Sequence, residues 1–249
     1  MAHSISPLMH NESFRLLGLD YVYLCFDINE ETLPAAVAGL KTCGIRGFNL
    51  TMPNKNKIVE LLDELSPEAQ LIGAVNTVLN DNGKLIGYNT DGYGFMQSVR
   101  DAGHDITGKN ITVMGVGGAS MAICAQSALD GAASVHIFAR RTSRYWNRTQ
   151  KFAENLSAKT GCQVCLFDND DHTALRDSIA QSYLLINATS VGMVPDIDDT
   201  IIKDTSLFHP ELVVADVVYE PQETRLLREA KAAGCQTFNG MYMLLHQGA

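Results

Sequence analysis

Gly115, Val116, Gly117, Gly118, Ala119 and Ser120 follow directly on the β-branched, apolar run Ile111–Met114. That order predicts a strand, a tight turn and the start of a helix. Glycines allow a backbone to approach a pyrophosphate closely, and the first N–H groups of a helix have no helical acceptors, so they are free to donate to it. Ser120 stands where the usual dinucleotide pattern has its third glycine. Small and apolar residues continue to Leu129, Gly131 can end the helix, and Ser134–Ala139 reads as the next strand. A glycine-rich turn with no ligand is the plainer explanation, but the complete βαβ unit favours a nucleotide. The second strand runs into Ala139, Arg140, Arg141, Thr142, Ser143 and Arg144. An NAD site usually has a carboxylate there for the ribose hydroxyls, and none is present. Guanidinium forks match a phosphate, which favours NADP, with NAD as the second candidate and a solvated basic loop as the bland one.

Polar clusters punctuate the first part of the chain: His3–Pro7, Asn49–Lys55, Gly73–Thr77 and Tyr88–Gly92. Each sits at a predicted strand end or turn. Together they hold hydroxyls, amides, an ammonium and a carboxylate, an inventory suited to a small polyhydroxylated ligand. Any one of them taken singly reads as turn chemistry, with Ser6 or Asn54 capping a helix.

The elements that must carry these groups alternate between strand and helix throughout, which predicts an α/β fold. Predicted strands cover Tyr21–Phe26, Gly47–Thr51, Ala74–Leu79, Lys84–Tyr88, Tyr183–Asn187 and Leu212–Asp216. Predicted helices cover Glu31–Thr42, Asn54–Leu62 and Thr224–Ala233. Asp81–Asn82–Gly83 predicts a hairpin turn. The pattern changes near Asp91, so residues 1–91 with 240–249 are expected to form one domain. Residues 92–239 are expected to form a Rossmann-type domain, with ligands meeting in the cleft between the two.

The 249 residues carry a net charge of −9, which disfavours nucleic acid as a partner because phosphate backbones require a basic face. No apolar run approaches the ~20 residues needed to cross a bilayer, and residues 1–7 lack the pattern of a signal peptide. The expectation is therefore a cytoplasmic protein without a membrane partner. Cys162 and Cys165 have CxxC spacing, yet they lie in a strand-like run with no second Cys or His pair, so strand packing is favoured over metal or redox chemistry.

Eight segments in order resemble the shikimate dehydrogenase family, including its quinate/shikimate branch. They are His3–Pro7, Asn49–Lys55, Gly73–Thr77, Asn89–Gly92, Gly115–Ser120, Asn187–Met193, Tyr219–Pro221 and Met243–Ala249. The resemblance implies a substrate domain joined to a Rossmann-type domain, and an NAD(P)-dependent interconversion of 3-dehydroshikimate and shikimate. It implies Lys55 as catalytic acid/base beside Asp91, and Ser4 and Ser6 as ligands of the substrate carboxylate. Thr51, Asn76 and Gln247 would bind ring hydroxyls, and Tyr219 would add a phenolic contact. On the cofactor side it implies Gly115, Gly117, Gly118, Ala119 and Ser120 at the pyrophosphate, and Arg140 and Thr142 at the ribose phosphate, with Arg141 as a further candidate there. Asn187, Thr189, Met193 and Gly240 would lie toward the nicotinamide. No metal is implied.

The family pattern has a strand before the His3–Pro7 motif and a closing helix after the terminal one. Neither is in this sequence, so an incomplete sequence or a fragment is expected. Tyr242 also replaces a family glycine. The substrate is expected to be shikimate or quinate, and a homodimer is carried as the expected assembly. A non-catalytic nucleotide- or metabolite-binding protein is the rival reading.

Overall fold

The computed structural model describes Ser4 and residues 6–248. Two compact units divide the chain: Met1–Thr90 with Gln247–Ala249, and Asp91–His246. Both units mix helices and strands.

The first unit holds α1 (Ser6–Leu17), α2 (Leu33–Thr42), β1 (Gly47–Asn49), α3 (Asn54–Lys57), β2 (Glu64–Leu65), α4 (Pro67–Ile72), β3 (Thr77–Asp81) and β4 (Lys84–Tyr88). Its four-stranded sheet has the order β1-β3-β4-β2. The β3–β4 hairpin pairs Asp81 with Lys84. Its two central residues, Asn82 and Gly83, take φ of 52° and 92°, the left-handed pair that suits the twist of a tight hairpin. Leu33, Val37, Ile58, Ala69, Val75, Val78 and Leu85 form the core beneath this sheet.

Several expectations change here for identifiable reasons. Tyr21–Phe26 forms no strand and pairs with no described strand, and Tyr21, Val22, Leu24 and Phe26 are all exposed. Alternating aromatic and β-branched residues can set an extended backbone, but only a neighbouring ladder makes it a strand. The predicted 54–62 helix is α3 followed by a 3-10 turn over Ile58–Leu61. Asn54 is not its cap, for its Nδ2 donates to Ile28 O at 2.7 Å and Pro53 holds the cap position. β3 starts at Thr77 rather than Ala74 because the preceding backbone groups are bound elsewhere. Val75 N donates to Lys55 O at 2.8 Å, and Ala74 O accepts from Asn89 Nδ2 at 3.1 Å.

The second unit runs through α5 (Asp91–Asp101), β5 (Asn110–Met114), α6 (Gly118–Leu129), β6 (Ser134–Ala139), α7 (Trp146–Thr160), β7 (Gln163–Asp168), α8 (His172–Gln181), β8 (Leu184–Asn187), β9 (Val213–Asp216), α9 (Arg225–Ala232), β10 (Gln236–Phe238) and α10 (Met241–His246). All its strand pairs are parallel, in the order β10-β9-β8-β5-β6-β7. This is the Rossmann arrangement, in which strand order reverses between β5 and β8 and leaves a crevice at their C-terminal ends. Met114, Phe138, Leu185 and Val214 help fill the core. Where 240–249 was expected to lie wholly with the first segment, α10 falls in the second unit and packs along α5. Cys162 is buried, which pushes its thiol up to about 11, and Cys165 pairs in register with His136 inside the sheet.

Candidate functional site

The turn after β5 is shaped by one glycine above all. Gly115 has φ of 113°, and a Cβ there would stand 2.8 Å from Thr189 Cγ2 and 2.9 Å from Ala188 O, so no larger residue fits between the two crossover loops. Gly117 then caps α6 without any side-chain hydrogen bond, and open space surrounds both Gly117 and Gly118. The first amides of α6 are therefore left for an external acceptor, with the positive end of the helix dipole behind them.

This turn opens onto a cavity of about 1200 Å³ within the second unit. Gly115, Gly117, Gly118, Ala119, Arg140, Thr142, Thr189 and Met193 line it, as does Tyr219, which was expected at the substrate. Three expected contact residues stand behind this wall instead. Ser120 is fully buried and donates from Oγ to Gly115 O at 2.6 Å, so its hydroxyl stitches the turn shut. Asn187 is buried and donates from Nδ2 to Val191 O at 3.1 Å and to Asp216 Oδ1 at 3.0 Å. Gly240 is buried where a Cβ would overlap Val217 O, so it serves close packing.

The three arginines after β6 separate in space. Arg140 is exposed on the cavity wall. Arg141 lies over the Trp146 ring, 4.6 Å from its centroid, and does not line the cavity. Arg144 lines it while donating from Nη2 to Tyr145 Oη at 2.6 Å.

Beneath the loops that follow β8 and β9 lies a network that sequence reasoning missed. Asp216, at the end of β9, has no exposed surface. Its carboxylate accepts from Asn187 Nδ2, from Val218 N at 3.0 Å and from Thr224 Oγ1 at 2.7 Å. Burial pushes this carboxyl up, and the three hydrogen bonds oppose that. Asn187 Oδ1 in turn accepts from Thr189 N and Thr189 Oγ1. One carboxylate thus ties the 187–191 turn to the Val218–Tyr219 loop, and both turn and loop line the cavity. Replacing Asp216 with Ala leaves three buried donors unpaired. A loss of about 3 kcal/mol of stability is expected by denaturant titration, together with weaker dinucleotide binding. An unchanged unfolding midpoint would contradict the network's role.

The first unit carries its own polar cluster. Asn76 is buried and donates from Nδ2 to Thr90 Oγ1 at 2.9 Å, while Thr90 Oγ1 donates to Gln247 O at 2.7 Å. Thr77 Oγ1 donates to Asn76 Oδ1, and Asn49 Nδ2 donates to Thr77 Oγ1. Leu50 N donates to Asn76 O and Asn54 N to Thr51 O, which sets the exposed Thr51 and the half-buried Lys55 beside Asn76. Asn76 and Gln247 are thus joined through Thr90, with Lys55 on the adjoining helical turn. Ser4 is exposed and its Oγ accepts from Ser6 N at 3.3 Å, which joins the two serines at the start of α1. His3 and Ile5 of that motif lie outside the described residues. In the second unit, Asp91 opens α5 and is buried, an acidic residue favourably placed in a first helical turn.

The family model for the shikimate dehydrogenase substrate binding domain matches residues 1–78. Over 247 residues the chain is 51% identical to a shikimate dehydrogenase (NADP(+)) of Listeria innocua, an alignment covering 99% of this chain and 84% of that protein. The chain belongs to the shikimate dehydrogenase family. The crystal structure of shikimate 5-dehydrogenase from Listeria monocytogenes in complex with shikimate and NAD matches with a TM-score of 0.98 at 49% identity, covering 100% of this chain and 86% of that one. A shikimate dehydrogenase in complex with NADP+ matches with a TM-score of 0.86 at 40% identity, over 100% and 84% of the two chains. Membership of the shikimate dehydrogenase family places the chain among oxidoreductases and sets aside the non-catalytic reading. Among the described residues, no helix is long and apolar enough to cross a membrane.

Proposed function

We propose that this protein interconverts 3-dehydroshikimate and shikimate with NADP(H). The observation that carries the reading is the uncapped, glycine-walled start of α6 opening onto a cavity whose rim bears Arg140 and Arg144. That donor set suits a pyrophosphate at the helix start and a further phosphate at the guanidinium groups. Bound NADP+ supplies the hydride acceptor.

This chain's own residues hold the dinucleotide and manage the proton. Gly115, Gly117, Gly118 and Ala119 supply backbone contact to the pyrophosphate, and Ser120 keeps their turn closed. Arg140, with Thr142, holds the ribose phosphate. Thr189 and Met193 line the nicotinamide side, on a turn braced by Asn187. Lys55 Nζ takes the proton from the substrate alcohol as the carbon loses hydride, and as the ammonium it polarises the ketone in the reverse direction. Asp91 accepts a hydrogen bond from a substrate hydroxyl. Ser4 and Ser6 hold the substrate carboxylate. Thr51, Asn76 and Gln247 bind ring hydroxyls, and Tyr219 adds a phenolic contact.

The deciding experiment is a matrix of shikimate and quinate against NADP+ and NAD+, followed by the absorbance of the reduced nicotinamide. The largest kcat/KM is expected for shikimate with NADP+. No turnover with any pair would sink the proposal. Faster turnover of quinate with NAD+ would move the protein to the quinate/shikimate branch.

A further inference from the structure

Asn169 has an unexplained side chain. It directly follows β7, and its backbone N donates to Ala139 O at 2.9 Å, which fixes it beside the end of β6 and next to Arg140. Its polar neighbours are occupied in shaping the β7–α8 turn. Asp168 Oδ1 accepts from Asp170 N at 3.2 Å, and Asp171 Oδ1 accepts from Ala174 N at 2.9 Å to cap α8. The Asn169 amide takes no part in this. Its Oδ1 is closed to solvent and has no hydrogen-bond donor among the described residues. The residue lines both the large cavity and a smaller one of about 480 Å³ beside it, as does the apolar Ile201.

An acceptor shut away from water with no donor is unfavourable, and buried polar groups left in that state call for an explanation. The second torsion of an asparagine side chain is broad and roughly two-fold, so turning the amide about it presents Oδ1 to a donor in the cavity. Leu175, Ile201, Ile202 and Leu207 give the smaller cavity apolar surface beside this one amide, with His172, Arg176, Lys203 and Asp204 completing its lining, and apolar surface next to an amide suits a flat heterocycle with a polar edge. From the assignment of Arg140 to the ribose phosphate, on which this inference rests, the base attached to that ribose belongs on this same wall.

We infer that Asn169 is a specificity-determining residue for the cofactor base, with its Oδ1 accepting a hydrogen bond from the 6-amino group of adenine. A neutral amide serves here without adding negative charge near the cofactor phosphates, which a carboxylate would do.

The test measures Kd by calorimetry for NADP+ and for its hypoxanthine counterpart, in which a 6-oxo group replaces the 6-amino donor. Wild type, Asn169→Leu and Asn169→Asp are compared, and the quantity read is the ratio of the two Kd values within each protein. Changes in overall affinity or charge cancel in that ratio. Leucine offers no acceptor, so its ratio should be close to one. Aspartate only accepts, so its preference for adenine should exceed that of the leucine variant by about tenfold. Wild type should fall between them, because an amide can turn its Nδ2 toward a 6-oxo group. The leucine variant should also bind NADP+ about fivefold to tenfold more weakly than wild type. Equal ratios in the aspartate and leucine variants overturn the inference. Failure of wild type to bind NADP+ at all instead overturns the function proposed above, so the two failures are distinguishable.

Discussion

Changing Lys55 to Ala is expected to lower kcat about a thousandfold, within the range that a positioned acid/base supplies, while NADP+ affinity stays within about twofold. The group removed acts on the substrate oxygen as charge shifts, so the loss should fall on kcat more than on KM. Lys55 sits half-buried in the single turn of α3, and its carbonyl is tied to Val75 N. The backbone bond does not depend on the side chain, so the fold should survive truncation. Lys55→Arg separates charge from proton transfer. A guanidinium keeps the positive charge but does not give up its proton, so arginine should restore little activity. Stopped-flow turnover with shikimate and NADP+ reads both variants. A kcat within tenfold of wild type for Lys55→Ala would remove this residue from the chemistry.

The second large effect belongs to Arg140. Its replacement by Ala should raise the Kd for NADP+ by about 10-fold to 100-fold, as expected for losing a charge-assisted contact, and leave the Kd for NAD+ nearly unchanged. The three neighbouring arginines make this a graded experiment. Arg141 is stacked on Trp146 away from the cavity, so Arg141→Ala should leave the preference between NADP+ and NAD+ intact. Arg144 lines the cavity but is held by Tyr145 Oη, so Arg144→Ala should give an intermediate loss. Fluorescence titration of the two dinucleotides measures all three. Equal weakening of NADP+ and NAD+ by Arg140→Ala would mean that this arginine supports the loop and does not read the phosphate.

The nucleotide half of the protein was highly legible because its signals are local. The βαβ unit around Gly115–Ser120 needs only neighbouring residues to declare itself, and Ser134–Ala139 falls where its apolar residues put it. Local pattern was insufficient at Tyr21–Phe26, where pairing and not propensity makes a strand. It was insufficient again at Ala74 and Val75, whose backbone groups bond to Asn89 and Lys55 across the fold. Asn169 and Asp216 gave no motif signal at all. Each matters because of an atom's burial and partners, which depend on residues far away in the chain.

By itself the sequence determined the α/β alternation, the glycine turn for a dinucleotide, the absence of an acidic residue after β6 and the order of family motifs. These follow from residue type and spacing along the chain. Only the tertiary structure decided which of Arg140, Arg141 and Arg144 faces the cavity, and that Ser120, Asn187 and Gly240 brace its wall from behind. It also revealed that Asp216 holds two loops together. Side-chain direction and hydrogen-bond partnership arise from packing between distant segments, and no spacing rule within one segment encodes them.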